Sequence, residues 1–400
     1  MTHKPTHDNN AALRHRDGHH ARVTYEELFF DLVYVFAVTQ LSHELLHHLN
    51  PMGLMETVIL WFGVWLGWQY TCWVTNWFDP ETPRIRGMLF VTMLLALLMS
   101  SSIPAAFGDR GLIFASCYAA MQVGRTAFIV RELGRDHPLA ANYRRMLVWL
   151  CLSAVFWIAG GLLDHEARIA LWIVAIACEY FSPMFGFVLP GLGRSSTRDW
   201  TVEGGHLTER CQLFVIVALG ETLLACGAAL TDAQAWNMDI LSALGATFIG
   251  TLSMWWLYFG TSSKDATAVI TSSTNPGRIG ANFHYIHAIL VAGIIGSAVG
   301  NDLVFAHPHA SPETAQVLAL AGGPAVYLLG SAIYKYVVYG RIPVSHVAGA
   351  LALVALIPAC YGSNLLVMGW LTTAVLLAVS FWEARMRRQP ILGENQAHHP

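Results

Sequence analysis

The sequence has little charge. Asp, Glu, Lys and Arg make up 12% of its 400 residues, whereas 55% of the residues are hydrophobic. Soluble domains carry about 25% charged residues, so this composition excludes an ordinary soluble domain. The formal net charge of −3 identifies no charged partner, and no nucleic-acid binding is expected. The composition therefore favours a membrane protein whose main partners are lipids.

Two motifs of soluble proteins are also missing. The chain has no GxxxxGK[ST] loop for nucleotide phosphates and no CxxC motif. All seven cysteines lie inside apolar segments, so they predict no disulfide framework. ATP-driven pumping is therefore not expected, and the sequence predicts no catalytic residue, no cofactor and no resident metal.

What the sequence does contain is a series of apolar segments, each near the length of about 20 residues that crosses about 30 Å of hydrocarbon. They predict an all-α polytopic membrane protein with about twelve transmembrane helices. The predicted helices lie at approximately 26–48, 54–76, 87–107, 111–133, 144–163, 168–190, 206–229, 238–260, 280–300, 314–335, 345–363 and 365–382.

The distribution of Lys and Arg supports twelve segments. Nineteen of the 23 basic residues fall on one side of the membrane in this assignment, and only Arg110 and Arg168 fall on the other. Arg125 and Arg210 lie within or at the edge of a segment. Basic residues collect on the cytoplasmic side, so both termini are predicted to be cytoplasmic. Residues 1–22 are polar and His-rich, which predicts a disordered tail rather than a cleavable signal peptide.

A weak internal repeat relates the two halves of the chain. At a shift of 182 residues the matched positions are Glu27 with Glu209, Leu32-Val33 with Phe214-Val215, Gly63 with Gly245, and Trp73 with Trp255. A further insertion of eleven residues brings Pro83 and Gly87 onto Pro276 and Gly280. Six segments separate the copies, so both halves enter the membrane in the same direction. We therefore expect two parallel six-helix pseudo-repeats.

Two stretches of this sequence resemble the signatures of a known family. "ELFFDLVYVFAVTQLS" and "HLTERCQLFVIVALGETLL" are similar to those of the bacterial low temperature requirement protein A (LtrA) family, although Cys211-Gln212 departs from the aromatic-Gly pair expected after Glu-Arg. The resemblance implies a multi-pass protein of the bacterial inner membrane, named for a cold-growth phenotype and without a settled biochemical activity. The expected organisation is a tail at 1–22, a membrane domain at 23–385 with repeats at about 23–200 and 201–385, and a tail at 386–400.

Ionisable side chains within the apolar segments are the candidate functional residues. Each costs about 2.5–3.5 kcal/mol on insertion scales, so each needs a partner, a water-filled cavity or a protonated state. The predicted ion, proton or substrate pathway consists of Glu27, Asp31, Arg125, Glu179, His206, Glu209, Arg210, Glu221, His284 and His287.

Glu27 and Asp31 are four residues apart, which places both carboxylates on one face of the first helix, about 6 Å apart along its axis. At this spacing one of them would readily take up a proton. In the alternative interpretation the pair lies at the cytoplasmic edge, binds Arg and only orients the helix. Arg125, at about the depth of Asp31, is the expected counter-ion.

The seventh helix offers His206 and Glu209 on one face near its cytoplasmic end. Glu221 follows twelve residues after Glu209, about 18 Å deeper and near the middle of the bilayer. It could carry an ion, or it could be a neutral side chain bonded to Ser or Thr. His284 and His287 could relay protons or be ordinary buried histidines. Glu179 is expected to be neutral or to join Glu221.

Together these residues predict a polar cavity that opens to the cytoplasm and leads to an acidic site between the repeats. This arrangement suits a secondary transporter or channel coupled to protons or cations. Two alternatives stay open: a non-transporting scaffold or cold and bilayer stress protein, and a metal-dependent intramembrane enzyme. The sequence specifies neither the solute nor the oligomeric state.

Overall fold

The structure is a computed structural model. It describes residues 12–14, 16, 21–196, 200, 202–232, 235–260, 269–270, 273 and 275–387. These residues form twelve long α-helices, with a short 3-10 helix at Ile103–Ala105. The α-helices are α1 (Tyr25–His47), α2 (Pro51–Trp77), α3 (Pro83–Ser101), α4 (Gly111–Leu133), α5 (Ala140–Leu162), α6 (His165–Met184), α7 (Gly204–Asp232), α8 (Met238–Phe259), α9 (Pro276–Ala306), α10 (Thr314–Tyr339), α11 (Val344–Cys360) and α12 (Leu365–Arg387).

Nine of the described helices are long and apolar enough to cross a membrane, and the protein is therefore a multi-pass membrane protein. The other three are α1, α2 and α11. α1 carries four carboxylates, α2 is rich in Trp, and α11 has only 17 residues. A helix lies in each of the twelve predicted segments, whereas membrane crossing by all twelve stays a prediction.

Two predicted helices end earlier than expected, each for a local reason. α3 ends at Ser101 rather than at 107, because Pro104 has no amide hydrogen with which to continue the α-helical ladder. α6 ends at Met184 rather than at 190, because the chain turns at Gly186 with a φ of 67°, a left-handed conformation that favours glycine.

The chain forms two compact units. The first contains residues 1–217 and 267–288, and the second contains residues 218–266 and 289–400. In the first unit α1 packs on α2 and α3, α4 packs on α2, α3 and α5, and α6 packs on α2 and α5. In the second unit α8 packs on α10 and α12, and α10, α11 and α12 pack on one another.

Small residues allow a close helix contact within the second unit. A methyl group added to Gly293 of α9 would lie 2.3 Å from the backbone nitrogen of Tyr327 in α10. One added to Gly323 of α10 would lie 2.3 Å from the backbone nitrogen of Ser297. The two backbones therefore touch directly, which is the packing that small residues permit between membrane helices.

Part of the N-terminal tail is ordered. The backbone N–H of Arg14 donates to the carbonyl of Trp77 at 2.8 Å, and that of Asp79 donates to the carbonyl of Ala12 at 2.9 Å. Residues 12–14 thus pair with the end of α2, whereas disorder in the rest of the tail stays a prediction. Residues 1–11 and 388–400, where most of the two predicted tails fall, lie outside the described residues.

Candidate functional site

The start of α1 is fixed by a capping box that involves Glu27. The Glu27 backbone N–H donates to the hydroxyl of Thr24, and the Thr24 backbone N–H donates to the Glu27 carboxylate at 2.9 Å. The same carboxylate oxygen accepts from Arg14 at 2.7 Å. Glu27 therefore joins the ordered tail to the first helix.

The second oxygen of Glu27 belongs to a buried ion cluster. Arg210 of α7 donates to Glu27 Oε1 at 3.0 Å and to Asp31 Oδ1 at 2.6 Å, so one guanidinium bridges two carboxylates. Trp68 Nε1 also donates to Asp31 Oδ1, at 2.7 Å. The Arg210 and Glu27 side chains have no exposed surface. Asp31 Oδ2 is buried and has no hydrogen-bond partner among the described residues.

His206 completes the cluster as a neutral ring. The Asn76 amide is oriented by Glu203, because its nitrogen donates to the Glu203 carbonyl and its oxygen accepts from the Glu203 backbone N–H, both at 2.9 Å. This orientation directs the Asn76 nitrogen at His206 Nδ1, 3.1 Å away. Nδ1 must therefore accept, and the hydrogen lies on Nε2, which donates to Glu27 Oε1 at 2.8 Å.

The cluster balances its charges. The carboxylates of Glu27 and Asp31 face the guanidinium groups of Arg14 and Arg210, and every donor to Glu27 keeps its hydrogen at neutral pH. Buried charges need this kind of pairing. The geometry holds Glu27 as a carboxylate. The expected cytoplasmic cavity is closed at Glu27, which is fully buried.

Other predicted residues lie beside this cluster. Glu209 accepts from the backbone N–H of Val23 at 3.2 Å, just before α1. The His284 ring packs on the Trp68 ring at a centroid distance of 5.6 Å. Nδ1 of His284 and Nδ1 of His287 lie 2.9 Å and 2.6 Å from carbonyls of their own helix. His284 Nε2 is buried and has no hydrogen-bond partner in the part of the chain that the structure describes, so a relay through it would need a further donor or acceptor.

Arg125 is not the counter-ion of Asp31. Arg210 takes that place, because it reaches both carboxylates from α7. The Arg125 guanidinium instead donates to the Thr71 hydroxyl at 2.8 Å, to the Gly67 carbonyl at 3.3 Å and to Gln122 Oε1. Arg125 is 3% exposed, and no described residue forms a hydrogen bond with its Nε. The membrane depth expected from the position along each helix could not decide whether Arg125 or Arg210 pairs with Asp31.

Glu179 of α6 forms a second polar centre in the first unit. Its Oε1 accepts from Ser153 at 2.5 Å and from Trp157 Nε1 at 3.0 Å. Its Oε2 accepts from the Tyr118 hydroxyl at 2.5 Å and from Gln122 Nε2 at 3.2 Å. Gln122 therefore links the Glu179 carboxyl to the Arg125 guanidinium through its amide. Glu179 was a predicted site residue, whereas none of its four partners was.

An aromatic cavity of about 70 Å³ lies in the same unit. It is lined by Gln69, Tyr70, Trp73, Tyr143, Met146, Pro183, Phe187, Trp200, Gly277, Ala281 and Tyr285. Gln69 Oε1 and the Tyr143 hydroxyl are buried and have no hydrogen-bond partner within the described ranges. The Tyr70 hydroxyl lies 3.5 Å from the Glu179 backbone carbonyl, so this side chain connects the cavity with the Glu179 centre.

The second unit contains Glu221, together with an acid that sequence analysis missed. Glu221 is 4% exposed, and Asp302 of α9 belongs to the same unit. Asp302 was missed because the ninth segment was predicted to end at 300, whereas α9 continues to Ala306. Glu221 and Glu179 belong to different units.

Another buried ion pair of the second unit was also missed. Lys335 of α10 donates to the Glu383 carboxylate of α12 at 2.6 Å, and Ser345 of α11 donates to the same carboxylate. Lys335 is 3% exposed. Lys335 is one of the nineteen basic residues that the predicted topology places on the cytoplasmic side. Its position within an apolar helix is the signal that could have identified the pair.

Comparisons with known proteins identify the family of this chain. The family model described as bacterial low temperature requirement A protein (LtrA) matches residues 22–381. An uncharacterized protein of Rhizobium meliloti (strain 1021) is 36% identical over 381 residues, which cover 93% of this chain and 91% of that protein. No solved structure matches the chain. The chain therefore belongs to the bacterial low temperature requirement A protein (LtrA) family.

Proposed function

We propose that this protein is a secondary transporter or channel of the bacterial inner membrane, coupled to protons or cations through intramembrane carboxylates. The observation that carries this proposal is the environment of Glu179. It is 2% exposed, lies within a helix apolar enough to cross the membrane, and accepts from four neutral side chains. Such a carboxyl is costly in a membrane domain, and acids of this kind mark ion and proton pathways.

We also propose that the chain consists of two parallel six-helix repeats. The order of helix packing supports this: α2–α4, α2–α6, α4–α5 and α5–α6 in the first unit correspond to α8–α10, α8–α12, α10–α11 and α11–α12 in the second. Pro83 and Pro276, which the sequence repeat superposes, each begin a helix. Alternating access by one repeat against the other is the mechanism that such repeats serve in transporters.

The proposed orientation has both termini in the cytoplasm. Its support is the distribution of Lys and Arg, because the twelve helices occur in the order on which that distribution was counted. Fusion of a reporter that is active only in the cytoplasm to each terminus tests this orientation. Activity at both ends is the expected result.

A scaffold role is the second candidate, and the Glu27 cluster favours it. There the charges are balanced, buried and bonded to the tail and to two helices, as expected of residues that specify packing. The metal-dependent enzyme has less support, because the described residues contain no group of three or more His, Cys, Asp or Glu side chains that could hold a metal ion.

Proton flux into liposomes tests the transport proposal. The purified protein is reconstituted with an internal pH dye under an imposed membrane potential, and wild type is compared with Glu179→Gln, Glu221→Gln and the control Asp239→Asn. Asp239 is a 40% exposed acid. We expect flux in wild type and in the control, and a loss of at least about tenfold in the two buried variants with folding intact. Absence of flux from wild type, with buried variants that are merely less stable, would favour the scaffold.

A further inference from the structure

The Ser153 hydroxyl has two acceptors and one hydrogen. The Ser153 oxygen lies 2.5 Å from Glu179 Oε1 and 3.1 Å from the carbonyl oxygen of Ala175. Ala175 precedes Glu179 by one turn of α6. A hydroxyl donates one hydrogen and can accept through its lone pairs. Ser153 can therefore donate to an ionised Glu179, or donate to Ala175 and accept a hydrogen from a protonated Glu179. Both states leave every group satisfied.

The other oxygen of Glu179 does not offer this choice. Tyr118 accepts from Gln122 Nε2 at 3.0 Å and gives its own hydrogen to Glu179 Oε2. A proton on Oε2 would point at the Tyr118 hydroxyl hydrogen, and two hydrogens cannot share one hydrogen bond. Trp157 Nε1 and Gln122 Nε2 are donors in every state, and either can donate to a neutral carboxyl as well as to a carboxylate. The hydrogen-bond pattern thus selects Oε1 as the atom that takes up a proton.

We propose that Glu179 Oε1 is a proton-binding site and that the Ser153 hydroxyl turns between Glu179 and Ala175 as the proton arrives and leaves. Proton uptake forms an O–H bond at Oε1, and release breaks it, so no other reactant is required. The physiological role of this site rests on the proposed proton-linked function. The Glu27 cluster contrasts with it, because the donors to Glu27 do not exchange roles.

Charged and titratable groups surround Glu179 on each packed helix. From α4 come Tyr118 and, through Gln122, the Arg125 guanidinium. From α2 comes Tyr70, whose hydroxyl meets the Glu179 carbonyl. From α5 come Ser153 and Trp157, which do not titrate. On α6 itself the neighbouring groups are Cys178 and Tyr180.

The aromatic cavity reaches the backbone of Glu179. Tyr70 lines the cavity and contacts Glu179, and Tyr285, which also lines it, packs against Tyr180 with ring centroids 5.8 Å apart. A volume of about 70 Å³ exceeds the roughly 10–15 Å³ needed for one water molecule. The unpartnered Gln69 Oε1 and Tyr143 hydroxyl are polar atoms that water in the cavity can bind.

Infrared difference spectroscopy of the full-length protein in lipid nanodiscs tests the site. Lowering the pH should produce a carbonyl stretch of a protonated carboxyl in wild type, and this band should be lost in Glu179→Gln. In Ser153→Ala the band should persist at higher frequency, since its O–H has lost its acceptor. The pH at the midpoint of the band's appearance should rise by about one unit in Ser153→Ala. The lost hydrogen bond stabilises the ionised carboxylate more than the protonated carboxyl, because hydrogen bonds to charged groups are stronger.

The matched control is Ser100→Ala. Ser100 is equally buried and donates to the Ala96 carbonyl of its own helix at 2.7 Å. Its spectrum should equal that of wild type. Survival of the full band in Glu179→Gln, or a Ser153→Ala spectrum identical to wild type, would overturn the proposal. If Glu179→Gln does not fold, the Ser153→Ala spectrum decides. A normal band shift without flux in liposomes would overturn the transport proposal alone.

Discussion

His206 donates from Nε2 to Glu27 Oε1 across 2.8 Å, and the Asn76 amide determines the direction of that bond. Glu27 thereby receives hydrogens from a neutral ring, two guanidinium groups and the start of its own helix. Two acids in one membrane domain thus have different chemistry: Glu27 is held as a carboxylate, and Glu179 has a partner that can reverse its hydrogen bond.

Loss of the Arg210 guanidinium should destabilise the protein strongly. Arg210→Met leaves Glu27 and Asp31 buried without their shared cation, and breaking a buried pair on one side costs about 3–5 kcal/mol. The free energy of unfolding in detergent measures this loss. Arg84→Met is the control, because Arg84 is 75% exposed and lies 3.5 Å from Glu132. Its removal should cost at most about 1 kcal/mol. Equal losses in the two variants would contradict the structural role of Arg210.

Two neighbouring tryptophans of α2 should respond differently to the same substitution. Both are fully buried, but Trp68 Nε1 donates to Asp31 at 2.7 Å, whereas Trp65 Nε1 has no partner. Trp68→Phe should lower the free energy of unfolding by about 1.5–3 kcal/mol beyond the loss of ring area, because it removes a hydrogen bond to a charged group. Trp65→Phe removes an unsatisfied N–H and should cost less. Denaturation of the two variants side by side gives the difference, and a larger loss in Trp65→Phe would refute the assignment.

The helices were predictable, because each apolar segment had to satisfy its own backbone in lipid. The partners of the buried charges were not. Asp31 pairs with Arg210 rather than with Arg125, and this choice depends on how α7 approaches α1, which no spacing along one helix specifies. The partners of Glu179 come from α4 and α5. Nothing in the sequence distinguishes Ser153 or Gln122 from other polar residues until the positions of these two helices are known.

Gln122 should be essential to the polar centre of the first unit. It accepts from Arg125 and donates to Glu179 and Tyr118, so Gln122→Leu removes a hydrogen bond from a buried cation and one from a buried acid. We expect the free energy of unfolding to fall by about 2–4 kcal/mol. Gln69→Leu is the matched control, because Gln69 is similarly buried but its Oε1 has no partner. Thermal unfolding in detergent should show the lower midpoint for Gln122→Leu, and equal midpoints would argue against the bridge.

Adjacent glycines of α10 provide a test of the close helix contact in the second unit. A methyl group on Gly323 would lie 2.3 Å from the Ser297 nitrogen and 2.4 Å from the Gly296 carbonyl carbon, both backbone atoms that cannot move aside as a side chain can. Gly323→Ala should therefore separate α9 from α10 and cost about 1–3 kcal/mol or more.

Gly322 has nothing within 4 Å of the same added methyl group. Gly322→Ala should leave stability unchanged or raise it by up to about 1 kcal/mol, since Ala favours a helix over Gly. Thermal unfolding of both variants measures the contrast. The two residues lie in one helix turn and receive the same methyl group. The contributions of helix propensity and of lipid contact to stability are therefore nearly equal in the two variants, and the difference between them reports the helix contact. A Gly323→Ala variant as stable as Gly322→Ala would show that α9 and α10 do not touch through their backbones.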